Sequence, residues 1–107
     1  MIFRQMYDGI SSTYTYVLAD TASGAAVIID PVYEQLNRDL ALIRELGLRL
    51  LYTIDTHCHA DHVTASWMLQ HKTGCRIGAA AAIGAQNVDL ELNHGDRIVF
   101  GEHALDV

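Results

Sequence analysis

A mostly apolar run, Arg49 to Asp55 (RLLYTID), passes without a spacer into Thr56-His57-Cys58-His59-Ala60-Asp61-His62. That junction limits the possible folds more than any other feature of the chain. A strand this apolar reads as buried in a sheet, covered on its faces by other layers. Its carboxyl end then delivers three imidazoles and a carboxylate in six residues. In open α/β sheets, the carboxyl ends of the strands are where ligands bind.

The neighbouring sequence supplies the layers. Ile2 to Tyr7 is short and partly alternating, and Thr13 to Ala19 (TYTYVLA) is rich in the Tyr, Thr and Val that favour strands. Asp20 to Gly24 is a polar turn before the apolar strand Ala25 to Asp30, so these two strands form a hairpin with a loop of about five residues. Pro31 ends the strand. The period then changes: Leu36, Leu40, Ile43 and Leu46 recur at helical spacing, with Arg38, Asp39, Arg44 and Glu45 mainly on the opposite side. Gly47 stops this helix. A second helix is expected from His62 to Lys72, with Trp67 and Met68 in the core, and Gly74 ends it. Short strands follow at Cys75–Ala79, Leu90–Leu92, Arg97–Phe100 and Ala104–Val107. Ala80 to Ala85 reads as a short helix or turn, and Asn93 to Asp96 as a turn. A helix crossing between strands gives an α/β or α+β fold with helices on at least one sheet face.

A chain of 107 residues is one small domain, 1–107, with a modest core. The net charge of -6 is scattered, with no basic run, which argues against nucleic-acid or anionic-membrane partners. There is no secretory signal and no apolar stretch long enough to span a bilayer, so the expected location is cytoplasmic. Cys58 and Cys75 are expected as reduced thiols there, with a disulfide between them as the alternative.

Side chains alternate along an extended chain, so His57, His59 and Asp61 can face one cavity while His62 opens the next helix. Asp61 would sit where a helix N-terminus favours a carboxylate. Imidazole suits zinc, iron and manganese, and carboxylate suits hard cations. The candidate metal-binding residues are therefore His57, His59, Asp61 and His62, with Asp61 and His62 also the candidates for catalysis. Solvated histidines after a strand are the plainer account, and the clustering at a buried strand's end argues against it. Further ligands are still needed: an iron facial triad wants two His and a carboxylate, and catalytic zinc wants three protein ligands and a water. Cys58 would face away from the ligands and pack. Asp30 is expected to hydrogen-bond the motif loop or a nearby turn. Tyr14 and Tyr16 are expected in cross-strand packing, His94 and His103 in solvent, and His71 near a helix C-terminus that favours a cation.

HCHADH is an instance of HxHxDH, the signature of the metallo-β-lactamase superfamily. Within it, THCHADHVTAS, the opening MIFRQMYDGISSTYTYVLAD, AAVIIDPV and GAQNVDLELNHGDRIVFGEHALDV resemble the persulfide dioxygenase (sulfur dioxygenase) family. The resemblance implies an αββα sandwich, of which this chain would be the N-terminal half, with a mixed sheet and helices on one face. It implies one Fe(2+) and oxidation of glutathione persulfide by O₂ to sulfite and glutathione, with a related small thiol as the other candidate partner. It makes His57 an iron ligand and places His59, Asp61 and His62 around the pocket. The family's remaining His and Asp ligands come from later segments, so the chain is expected to be truncated at Val107 and inactive alone. A glyoxalase II-like or other metallo-hydrolase with Zn(2+) is the alternative, although Cys58 stands where a histidine would favour it. A third reading is a non-catalytic metal-binding fragment that associates with itself, as a homo-oligomer, or with a missing C-terminal half.

Overall fold

The computed structural model describes residues 1–56, 60–80 and 88–107, with the side chains of 60–64 left aside. Among the described residues, eight strands and two helices run in the order β1 (Ile2–Asp8), β2 (Thr13–Ala19), β3 (Ala25–Ile29), a 3₁₀ turn (Tyr33–Gln35), α1 (Leu36–Glu45), β4 (Arg49–Asp55), α2 (Ala60–Thr73), β5 (Arg76–Ala80), β6 (Leu90–Leu92), β7 (Arg97–Phe100) and β8 (His103–Asp106). Six strands form one sheet in the order β1-β2-β3-β4-β5-β6, and β7 and β8 form a separate hairpin.

The sheet is mixed. β1, β2 and β3 pair antiparallel, and β3 through β6 pair parallel. The parallel steps all run in one direction across the sheet, and right-handed crossovers of that kind put both helices on the same face. The core follows this plan. On the helix face, Val17, Ala19, Ala26 and Ile28 of the sheet pack with Leu36 and Ile43 of α1 and Leu69 of α2. On the other face, Val27, Ile54 and Leu92 pack against Ile98 and Phe100 of the β7–β8 hairpin. The expected mixed sheet with helices on one face is what forms.

A register shift in the β3–β4 pairing sets the phase of β4. Ala26 pairs with Leu50, yet Val27 pairs with Tyr52, so Leu51 is the extra residue. A bulge of this kind exchanges the two faces of a strand beyond it. Leu50 accordingly joins the helix-side core, whereas Tyr52 and Ile54 join the hairpin-side core. Thr53 and Asp55 are thereby turned toward α2, where Ser66 meets them.

Several expectations need correction. Trp67 is 52% exposed. Among the described side chains of α2, Ala65, Ser66 and Leu69 are buried, and Trp67 stands about 200° round the helix from Ala65 at roughly 100° per residue. Met68 does pack against the core, half-buried. Asp39 was expected on the polar side of α1 but is fully buried, because it shares a stripe with Leu36 and Ile43. Burial pushes its carboxyl up to about 6, only partly offset by the Arg38 guanidinium 3.1 Å away. His103 is half-buried on β8 rather than solvated, because the β7–β8 turn folds onto the β2–β3 turn. Its Nε2 lies 3.5 Å from Asp20 Oδ1, and hydrogen bonds from Ser23 hold that carboxyl below its ordinary value. The turn or helix expected over Ala80–Ala85 falls mostly outside the described residues; Ala80 itself closes β5.

The tyrosines behave as expected: Tyr14 faces Tyr7 across β1 and β2 with ring centroids 4.8 Å apart, and Phe3 lies 5.9 Å from Tyr16. Cys75 is a buried free thiol. Among the described residues, no helix is long and apolar enough to cross a membrane.

Candidate metal centre

The site is framed by the carboxyl ends of β3 and β4 and by the start of α2. β3 is followed directly by Asp30, which is buried and adopts φ 54, a left-handed conformation that Asp tolerates better than most residues. Its backbone is pinned on both sides. The amide donates to Ile54 O at 2.8 Å, and the carbonyl accepts from Thr15 Oγ1 at 2.8 Å. This turns the carboxylate toward the first residue of the histidine-rich segment. Asp30 Oδ1 accepts from Thr56 N at 2.6 Å, and Oδ2 accepts from the Thr56 hydroxyl. The expected bond from Asp30 to the motif loop is therefore present at the loop's first residue.

Behind it lies a second buried polar group. Ser66 Oγ donates to Asp55, with both carboxylate oxygens at 3.0 Å, and shares a 3.1 Å hydrogen bond with Thr53 Oγ1. All three residues are buried. Burial raises the Asp55 carboxyl to about 7; the Ser66 hydroxyl opposes the rise and the Asp30 carboxylate adds to it. Two carboxylates thus sit at the ends of neighbouring strands, directly before the imidazoles. An apolar cavity of about 320 Å³ adjoins them, lined by Ile29, Ile54, Thr56, Leu92, Ile98 and Val107 among others.

Asp61 and His62 lie in the first turn of α2, which begins at Ala60, before the expected His62. Asp61 therefore falls at the helix end that favours a negative charge. His57 and His59, and Cys58 between them, lie outside the described residues. Among the described residues, no three His, Cys, Asp or Glu side chains converge as a metal site. His71 is in the last turn of α2 and His94 is exposed in the turn before β7, so neither is brought to this end of the sheet. Sequence reasoning missed Asp55, Ser66 and Thr53. The available signal was a carboxylate closing an otherwise apolar strand, but its partner lies eleven positions away across the loop.

What this frame can do depends on its donors. Three imidazoles and a carboxylate suit a transition ion better than an alkaline-earth ion. Their placement between a pinned strand end and a helix start is compatible with such an ion.

Known proteins agree with this reading of the frame. The chain is 50% identical over 107 residues to the mitochondrial persulfide dioxygenase ETHE1 of Homo sapiens, matching 99% of this chain and 42% of that protein. It is 33% identical over 94 residues to a hydroxyacylglutathione hydrolase of Cereibacter sphaeroides, matching 86% of this chain and 36% of the relative. The crystal structure of ETHE1 from Myxococcus xanthus superposes with a TM-score of 0.89 at 45% identity, covering 97% of this chain and 46% of that one. The chain thus spans less than half the length of these relatives. The sequence family described as the metallo-beta-lactamase superfamily matches residues 8–102, and with the fold and the HxHxDH segment in place, the chain belongs to that superfamily.

Proposed function

We propose that this chain is part of an iron-dependent persulfide dioxygenase that converts glutathione persulfide, O₂ and water to sulfite and glutathione; a related small thiol is the other candidate partner. The observation that carries the reading is the 50% identity to a named persulfide dioxygenase, sustained over all 107 aligned residues. In this reading residues 1–107 form one domain unit, the N-terminal portion of the sandwich. A cytoplasmic location belongs to the same proposal; the buried free thiol of Cys75 is compatible with it.

His57 would hold the metal, with His59, Asp61 and His62 as further ligands or pocket groups. When bound, Fe(2+) would supply the redox chemistry with O₂ that no side chain provides. The chain's own residues do the positioning. Asp30 holds Thr56, and so fixes where the segment 57–59 begins. Asp61, in the first turn of α2, would accept a hydrogen bond from an imidazole N–H and fix its tautomer. His62 is the candidate for moving a proton to or from the substrate sulfur. The apolar cavity beside Thr56 excludes water from that edge.

A second reading, a Zn(2+)-dependent hydrolase of glutathione thioesters, is supported by the 33% identity to hydroxyacylglutathione hydrolase. There a metal-bound water would be the nucleophile's source. Metal analysis with an oxygen electrode separates the two. For the full-length protein, the dioxygenase reading expects stoichiometric iron and O₂ uptake dependent on glutathione persulfide. Zinc with thioester hydrolysis and no O₂ uptake would overturn it.

A further inference from the structure

We infer that Asp55 and Ser66 are positioning residues: together with Thr53 they form a latch that sets the spacing between the end of β4 and α2, and through it the metal affinity of the segment between them. The inference rests on the metal reading above and concerns how this chain tunes that site.

The latch is placed where such control is available. Asp55 is the last residue of β4, and Ser66 is on the face of α2 turned toward the sheet. The residues between them include all four candidate ligands. Asp30 holds the entry to this segment, through Thr56. The exit is fixed by how α2 lies on β4. Ala65 and Leu69 contribute to that contact as buried side chains, but apolar packing is non-directional and lets a helix turn or slide. A hydroxyl–carboxylate bond does not.

The geometry is also fully used. A serine hydroxyl has one proton to give. Ser66 Oγ lies 3.0 Å from each oxygen of Asp55, so that proton is shared along the carboxylate edge. The Thr53 hydroxyl, 3.1 Å from Ser66 Oγ, then supplies the complementary bond. Thr53 faces Ser66 only because the bulge at Leu51 shifts β4 by one residue. Three buried polar groups, two elements and one irregularity thus converge on a single bond.

Partners behind metal ligands commonly change metal affinity by about 10- to 100-fold when removed. The test uses the full-length protein with Co(II) alone as the probe, with affinity read by competition against a chromophoric chelator and ligand geometry read from the visible absorption of bound cobalt. Ser66→Ala is expected to weaken Co(II) binding about tenfold or more and to change the absorption bands. Asp55→Asn, whose amide oxygen still accepts from Ser66, is expected to restore near-normal affinity and spectrum. If Ser66→Ala melts at a lower temperature but binds Co(II) with unchanged affinity and spectrum, the latch is only structural and the inference fails. If Asp55→Asn loses affinity while Ser66→Ala does not, the carboxylate charge acts instead, and the inference also fails. Should Ser66→Ala not fold, Thr53→Val removes only the orienting hydroxyl. A smaller loss in the same direction is then expected, and no change would overturn the inference. A wild-type protein that takes up no Co(II) overturns the metal reading itself, and this inference with it.

Discussion

Asp30 and Asp39 are both buried carboxylates, yet their surroundings give them opposite consequences. Asp30 accepts two hydrogen bonds from Thr56 and sits at φ 54. Replacing it with alanine removes the acceptor of both Thr56 hydrogen bonds and puts a non-bonding residue in the left-handed region. The expected loss is about 1–2 kcal/mol in a urea titration. Asp39 has a guanidinium beside it but one buried carboxylate oxygen without a hydrogen bond. Its folded carboxyl lies at about 6, against an ordinary value of 3.8. The folded state therefore binds the proton more tightly than the unfolded state does. Stability from this group is present at acid pH and lost as pH rises through that interval. Asp39→Asn is expected to raise the melting temperature above pH 6, with the gain shrinking toward pH 4. A gain independent of pH would refute the assignment.

The elements that were legible in the sequence are those with a strong local period. TYTYVLA and AAVII form strands with the expected five-residue turn, and the leucine–isoleucine stripe of α1 faces the sheet. α2 was harder. Among its described side chains, Ala65, Ser66 and Leu69 are buried, while Trp67 is left outside. The Leu51 bulge carries no sequence signal because it arises from pairing with β3. The Asp55–Ser66–Thr53 cluster depends on that bulge and was hidden with it. Asp30 was legible because an Asp-Pro step after a strand marks a turn with its own hydrogen-bonding needs. At the opposite end of the sheet, Gly101 makes a similar point about close approach. It has φ +65, and a Cβ there would overlap Asp20 Oδ2 and come within 2.6 Å of Ser23 Oγ. Gly95 has φ +93 but nothing within 4 Å. Gly101→Ala is therefore expected to destabilise clearly more than Gly95→Ala, where only the backbone strain of about 1 kcal/mol applies. Equal melting temperatures for the two variants would contradict the contact.

The whole molecule is a sheet with helices on one face and a hairpin on the other. The hairpin is anchored by Phe100, which is 1% exposed and packs into the core with Ile98, Ile54 and Leu92. Phe100→Ala should cost about 3–5 kcal/mol, read from the denaturant midpoint. A loss below about 1 kcal/mol would mean that the hairpin contributes little to folding. At this scale the sequence pointed correctly to the layered class. It did not reveal that β7 and β8 leave the main sheet, because strands of either sheet have the same local pattern.

In the large sheet, spatial order repeats chain order without exception. A polypeptide leaving the ribosome can therefore lay each new strand against the one made just before it, with no gap held open for a later arrival. Closure of long loops is deferred to the β7–β8 hairpin, which keeps the entropic barrier to assembly low. Stalled nascent chains that expose everything up to Leu92 should already resist proteolysis between β1 and β4; rapid cleavage there would show that the sheet waits for its cover.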